Sequence, residues 1–346
     1  MRPDKEHSRE QVRRPKGERV AGVSKKNRRE QNNLTVTSCL GEVAMIKLTS
    51  VSNPKPAAGL ESAEASARPV ENDISSGAQG TDSDDSRSLK YLCAAGRAEP
   101  RGPRAAFESV IGPTDDRVRV LDTDLYPWRM ICALRMHADN GVSTIGTGWL
   151  VGPRTIITAG HCVYSTYYFG GWASTIEVSP GRNGSELPFE TKISTSFSSV
   201  DRWVQSEDPD FDIGCIHLAE PIGDTLGWFA AGSITPDELA GYQVNVSGYP
   251  SDRGNGTEQY HHRNQVLHVT DRRVFYDVDT FGGQSGAPVW IHEEVGAPPI
   301  VIGIHAYGVG GSPGGLQANS APRIIPEVMT QIREWVARDG GWPSAQ

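Results

Sequence analysis

Aromatic residues are nearly missing from the first 108 positions, where only Tyr91 and Phe107 occur. A stretch this poor in large apolar side chains cannot offset its ordering entropy by burial, which predicts a disordered, propeptide-like leader over residues 1–108. No apolar run is long enough for a membrane helix. Nor does an apolar segment follow the basic N-terminus as a signal peptide requires. The patch at Met45-Ile46 is broken by Lys47 and Thr49. Cysteine is scarce and odd in number: Cys39, Cys93, Cys132, Cys162 and Cys215 do not make a disulfide framework. A Cys132–Cys162 pair stays open, against the reading of Cys132 and Cys215 as small buried apolar residues. No metal-ligand spacing is read among His137, His217, His261, His262, His268 and His292, and no cofactor is implied. The acidic group Glu207, Asp208 and Asp210 reads as a solvated loop. The glycosylation sequons at Asn183, Asn245 and Asn255 carry no weight without knowledge of the source.

Charge divides the chain as aromaticity does. The first 30 residues carry 11 Lys/Arg against 5 Asp/Glu, a net of +6, and from Ser109 onward 15 basic residues face 27 acidic ones, a net of −12. An acidic domain is a poor nucleic-acid binder, so no nucleic-acid partner is expected.

From Ser109 the texture changes. Short apolar runs alternate with turn signals: Met130–Leu134, Gly148–Val151 and Thr155–Thr158 about a Gly-Pro turn, Ile213–Leu218, Tyr242–Val246, Pro288–Ile291 and Ile300–Ile304. Many short strands predict an all-β domain over residues 109–346. Near the end, Pro326 opens a helix whose Val328, Ile332, Trp335 and Val336 share one face, and Gly340-Gly341 stops it.

Three segments carry chemistry. Gly282-Gly283-Gln284-Ser285-Gly286-Ala287-Pro288 flanks a serine with glycine, so a tight exposed loop can aim the N–H groups of Gly283 and Ser285 at one point. Thr158-Ala159-Gly160-His161-Cys162 follows a strand and supplies a base. Asp210-Phe211-Asp212-Ile213-Gly214 places an acid against a buried strand, and Asp212, which abuts the apolar run directly, is preferred to Asp210. A weak nucleophile, a base, an orienting acid and an oxyanion hole are what acyl transfer by serine requires.

In the order His, Asp, Ser, these segments resemble the chymotrypsin-fold peptidases. The resemblance narrows to the glutamyl endopeptidases, especially those of bacilli, on Ser109-Val110-Ile111-Gly112, Asp115-Asp116-Arg117, Tyr126-Pro127, Thr147-Gly148-Trp149, Val178 to Gly184, Ser247-Gly248-Tyr249-Pro250 and Asp279 to Gly286. It covers Ser109 to the end and none of the leader. It implies two six-stranded antiparallel Greek-key barrels with a C-terminal amphipathic helix. The implied activity is a monomeric, secreted zymogen that cleaves protein or peptide substrates after Glu, and less well after Asp, although no signal peptide is evident. The resemblance also implies catalytic His161, Asp212 and Ser285, an oxyanion hole at Gly283 and Ser285, and a carboxylate-binding pocket at Thr280, His305 and Gly308, with a protonated His305 as donor. Processing between Glu108 and Ser109 follows, since a glutamate-specific enzyme can cut its own leader there. Gln284 stands where trypsin-like zymogens have an acid, so their N-terminal salt bridge is unavailable. Gly146 stands where the bacillary relatives have the cysteine partner of Cys162. The rivals are a serine protease of other or broad specificity and a catalytically silent homologue acting as a binding protein.

Overall fold

The computed structural model describes residues 47–54, 92–93, 110–292, 297–309 and 315–343. Two sheets dominate. The first is built on six strands: Ile131–His137, Ser143–Leu150, Thr155–Thr158, Thr175–Pro180, Ser196–Val200 and Gly214–His217. The first three form a meander. Thr175–Pro180 then pairs beside Ile131–His137, and Gly214–His217 returns beside Thr155–Thr158. That return is the Greek-key connection.

The second sheet repeats the plan on Gln243–Gly248, Tyr260–Val269, Arg273–Tyr276, Pro288–Ile291, Ile300–Ile304 and Asn319–Pro322. Pro288–Ile291 pairs beside Gln243–Gly248, and Asn319–Pro322 beside Arg273–Tyr276. A bridge between Gly303 and Arg323 draws its two ends together. The expected chymotrypsin-like, all-β plan of six plus six strands is therefore present, with further short strands paired at each sheet.

Two of those additions lie inside the expected leader. Ser50–Ser52 pairs with Ser196–Val200, and Leu92–Cys93 pairs with Ser143–Leu150. The reading of residues 1–108 as one disordered piece thus does not hold for residues 47–54. That segment is mostly polar, and backbone pairing orders it together with the burial of Leu48.

The C-terminal helix runs Pro326–Arg338 and buries Val328, Ile332, Trp335 and Val336 in the larger core. Gly340 and Gly341 both have positive φ, the conformation that glycine stops a helix with. Among the described residues no helix is long and apolar enough to cross a membrane.

Candidate active site

Register brings the histidine and aspartate together. Thr155–Thr158 ends just before His161 and Gly214–His217 begins just after Asp212, with Thr158 paired to Gly214. His161 lies in the single helical turn Gly160–Val163, and Asp212 follows the short helix Pro209–Phe211. Both Asp212 oxygens are used. The His161 backbone N–H donates to Oδ1 at 2.9 Å, and His161 Nδ1 is 2.7 Å from Oδ2. Both side chains are fully buried. Burial pulls the imidazole's pKa down, but the Asp212 charge, with the Cys162 sulfur, outweighs it and holds His161 well above the ordinary value.

The acidic residues upstream serve this turn. Asp208 accepts the Asp210 N–H at the start of the Pro209–Phe211 helix, and Glu207, in a left-handed conformation, accepts from Thr166. Asp210 faces none of the His161 donors.

Ser285 reaches the same place from the second sheet. Its carbonyl accepts the Thr147 N–H at 2.8 Å, and the Cys162 thiol points at the same carbonyl at 3.7 Å. The loop before it is folded inward: Gly282 O accepts from Ser251 N–H and Gly283 O from Thr147 Oγ1. Gly283 and Gly286 have φ of +104° and +89°. A Cβ on Gly286 would lie 2.1 Å from Thr147 O and from Thr158 Oγ1, so only glycine lets this loop meet the first sheet. His161 Nε2, the nitrogen that would receive a proton from Ser285, has no hydrogen-bond partner. Such bonds are often long before substrate binds.

Thr147, quoted above only as part of a resemblance, is the joint between the sheets. Its N–H and hydroxyl hold the Ser285 loop, its hydroxyl also accepts the Tyr249 N–H at 3.0 Å, and its carbonyl accepts from Thr158 Oγ1. Trp203 was equally silent in sequence. Its ring centroid is 6.3 Å from that of His161, and a Cβ on Gly160 would sit 2.7 Å from it. Tyr307 also belongs here: burial first, then the neighbouring Asp212 charge, pushes its phenol well above the usual tyrosine range.

Thr280, His305 and Gly308 are all buried. Thr280 Oγ1 has no partner within the protein. His305 exchanges backbone bonds with the Ser285 loop, accepting the Gly286 N–H at 2.7 Å and donating to Ala287 O at 2.9 Å. Its Nδ1 is 2.6 Å from the Tyr276 hydroxyl. Burial, with the His161 charge, lowers its pKa to about 3. Without a ligand, burial disfavours the charged ring; the expected protonated His305 concerns a site that holds a carboxylate. Where Tyr276 donates to Nδ1, the ring's own proton sits on Nε2, so a neutral His305 still donates to a ligand.

The expected processing residues, Glu108 and Ser109, lie outside the described residues. Just after them, Ile111 N–H and Asp116 N–H donate to the two oxygens of Asp279 at 2.6 and 2.8 Å, and Asp279 N–H donates to His262 Nδ1 at 2.7 Å. Asp116, His262 and Asp279 bring ligand-type atoms within 4.8 Å of one another. Those of Asp279 and His262 already hold backbone N–H groups, so the cluster is a structural knot beside Thr280. Cys132, Cys162 and Cys215 are buried free thiols. A Cβ on Gly146 would lie 2.9 Å from Cys162 Sγ.

Paired Greek-key sheets with a His, an Asp and a Ser-bearing glycine loop at their junction define a chymotrypsin-type peptidase. A sequence model of the trypsin family matches residues 122–324. The chain belongs to that family and is a serine endopeptidase. Within the family it stands with the glutamyl endopeptidases. It is 38% identical to the glutamyl endopeptidase of Bacillus licheniformis over 245 residues, covering 69% of this chain and 73% of that protein. It is 37% identical over 229 residues to a protein of Bacillus subtilis named an extracellular metalloprotease, covering 66% and 69% respectively. A solved structure of a Glu endopeptidase in complex with MPD superposes with a TM-score of 0.54 at 27% identity, over 66% of this chain and 98% of that one.

Proposed function

We propose that His161, Asp212 and Ser285 form the catalytic triad and that the enzyme cleaves peptide bonds after Glu, less well after Asp. The observation that carries the triad is the pair of bonds from His161 to one buried carboxylate, beside a serine loop whose glycines allow the approach. Ser285 Oγ attacks the carbonyl carbon while its proton passes to His161 Nε2. The oxyanion is held by the Gly283 and Ser285 N–H groups. His161 then gives the proton to the leaving amine, and water releases the acyl group by the reverse path.

For the residue before the cut, Thr280 Oγ1 and His305 Nε2 are the donors. A buried carboxylate without such partners would be strongly disfavoured. Cleavage after Glu108 would free Ser109, one residue before the described chain and two before Ile111, whose N–H is held by Asp279 beside Thr280. That fastening supports a zymogen whose new terminus seats near the pocket. Secretion follows the family reading.

The uncharged His305 favours one rival, a pocket of broader preference. Matched chromogenic peptides ending in Glu, Gln, Asp, Phe or Lys separate the two. Preference for Glu over its isostere Gln, abolished in Ser285→Ala, supports the glutamyl reading. Equal rates on Glu and Gln, or activity on Phe alone, would discard it and leave the triad.

A further inference from the structure

Residues 47–54 precede the peptidase sequence by more than half a hundred positions, yet they form part of its first sheet. Ser50–Ser52 runs antiparallel to Ser196–Val200, with Val51 opposite Ser199. The ladder continues at both ends: Asp201 N–H donates to Thr49 O at 2.8 Å, and Asn53 N–H donates to Phe197 O at 3.1 Å. The Asn53 side chain adds two bonds, accepting from Phe197 N–H and donating to Thr195 O. Leu48 is buried in the larger core. Both serines meet other elements. Trp335 Nε1, in the C-terminal helix, donates to Ser50 Oγ at 2.8 Å. Ser52 Oγ lies 2.8 Å from Ser198 Oγ and accepts from Arg338 at 2.8 Å.

Ser52 thereby joins a buried polar knot. Ser198 Oγ is 2.9 Å from His217 Nε2, and His217 Nδ1 is 2.8 Å from the Asp339 carboxylate. By residue type this is a second serine, histidine and aspartate. Ser198, however, sits within a regular strand and also accepts from Arg338, so no loop aims backbone donors beside it. It ties strand to helix.

The segment also backs the candidate active site. Thr49 O holds the first N–H of the helix Asp201–Ser206. That helix carries Trp203, which lies against Gly160 and the His161 ring. On the strand that Ser50–Ser52 covers, Ser199 Oγ donates to Ile213 O, next to Asp212. One short segment therefore supports the elements presenting both the base and its acid.

We propose that the outer edge of Ser196–Val200, with the last turns of the C-terminal helix, is a docking site for residues 47–54 of this same chain. The docked strand is a positioning element: it fixes Trp203 and, through it, His161. Docking is by strand addition, in which main-chain bonds supply affinity and side chains the register. No covalent link to the peptidase sequence is needed for it. The effect on catalysis rests on the triad reading above; the docking does not.

The test uses the full chain. In an antiparallel ladder alternate residues face the neighbour, and Thr49 and Asn53 both do, so the Val51 N–H does too. Val51→Pro removes that donor. The expected result is loss of amide-exchange protection across 196–201 and a fall in kcat of about tenfold with KM unchanged, as a small displacement of His161 would give. A synthetic peptide of residues 47–54, added to the variant, is expected to restore both protection and kcat; the same peptide carrying Val51→Pro restores neither. Should Val51→Pro not fold, Ser50→Ala with Ser52→Ala keeps the ladder and cuts the ties to Trp335 and Arg338; faster exchange at 196–201 is then the result required. Unchanged protection in the variants, or no response to the peptide, overturns the docking. Protection lost and restored without movement of kcat overturns the positioning role alone. A wild type that cannot be labelled at Ser285 by a phosphonate indicts the triad reading and leaves the exchange arm standing.

Discussion

Asp212→Asn is the most informative single change. The carboxylate accepts two donors at once, the His161 backbone N–H at 2.9 Å and Nδ1 at 2.7 Å. An amide has one oxygen to offer. If it keeps the backbone N–H, its NH₂ faces Nδ1 and the ring must place its proton on Nε2, where it can no longer take one from Ser285. The charge is lost as well. At an effective dielectric constant of about 20, opposite unit charges 2.7 Å apart attract by about 6 kcal/mol. The imidazolium formed at the transition state loses stabilisation of that order. At about 1.4 kcal/mol per decade, kcat falls about ten-thousandfold, with KM little changed. The sign of the pH effect is fixed too. His161 must be neutral to act as base, and Asp212 raises its pKa, so the acid limb of wild-type activity lies above pH 6.5 and moves to lower pH in the variant. Steady-state kinetics on a Glu-ending peptide from pH 5 to pH 10, with circular dichroism as a folding control, measure both. A folded variant losing less than about tenfold in kcat, or an acid limb moving upward, would refute this account of Asp212.

Three further outcomes test the joint and the pocket. Tyr276→Phe removes the hydroxyl that holds His305 Nδ1; KM for Glu-ending peptides is expected to rise by roughly tenfold, while peptides ending in Phe are unaffected. Thr147→Val leaves Gly283 O and the Tyr249 N–H unpaired between the sheets, and denaturant titration is expected to show a loss of about 2 kcal/mol, with slower phosphonate labelling of Ser285. Gly146→Cys places a Cβ 2.9 Å from Cys162 Sγ, the separation a bridge requires; intact mass without reductant should show two hydrogens lost, and stability should rise by about 3 kcal/mol for a loop of this length.

The parts legible in the sequence were those written in contiguous residues. The apolar runs found most of the core strands, the 3–4 spacing found the C-terminal helix, and the short words around His161, Asp212 and Ser285 found residues that the register then gathered. What stayed hidden depends on partners far away in sequence. Thr147 is one hydroxyl on a buried strand, and its importance lies in Tyr249 and Gly283 across the junction. Trp203 reads as core until Gly160 is placed beneath it. The Ser50–Ser52 strand offers one apolar residue, and its pairing is carried by main-chain groups that any sequence possesses. The environment of His305 stayed hidden for a related reason: the residue type shows an ionisable ring, whereas the burial that disfavours its charge belongs to the assembled second sheet.

On the proposed reading of His305 as a pocket residue, specificity and catalysis connect through the backbone. Gly286 N–H and His305 O, then His305 N–H and Ala287 O, join the Ser285 loop to His305 through two backbone bonds. The side chain of His305 is in turn held by Tyr276, on a neighbouring part of the same sheet. A substrate carboxylate entering beside His305 brings a negative charge to a site whose burial disfavours charge of either sign. The site can meet it with the Nε2–H and Thr280 donors alone, or by taking up a proton at His305, whose pKa an adjacent anion must raise from about 3. Either response draws the ring toward the carboxylate, and the two backbone bonds carry that preference to the residues flanking Ser285. Discrimination for Glu is then expected in kcat as well as in KM, because the group that reads the side chain and the loop that attacks the bond are held in one hydrogen-bonded unit.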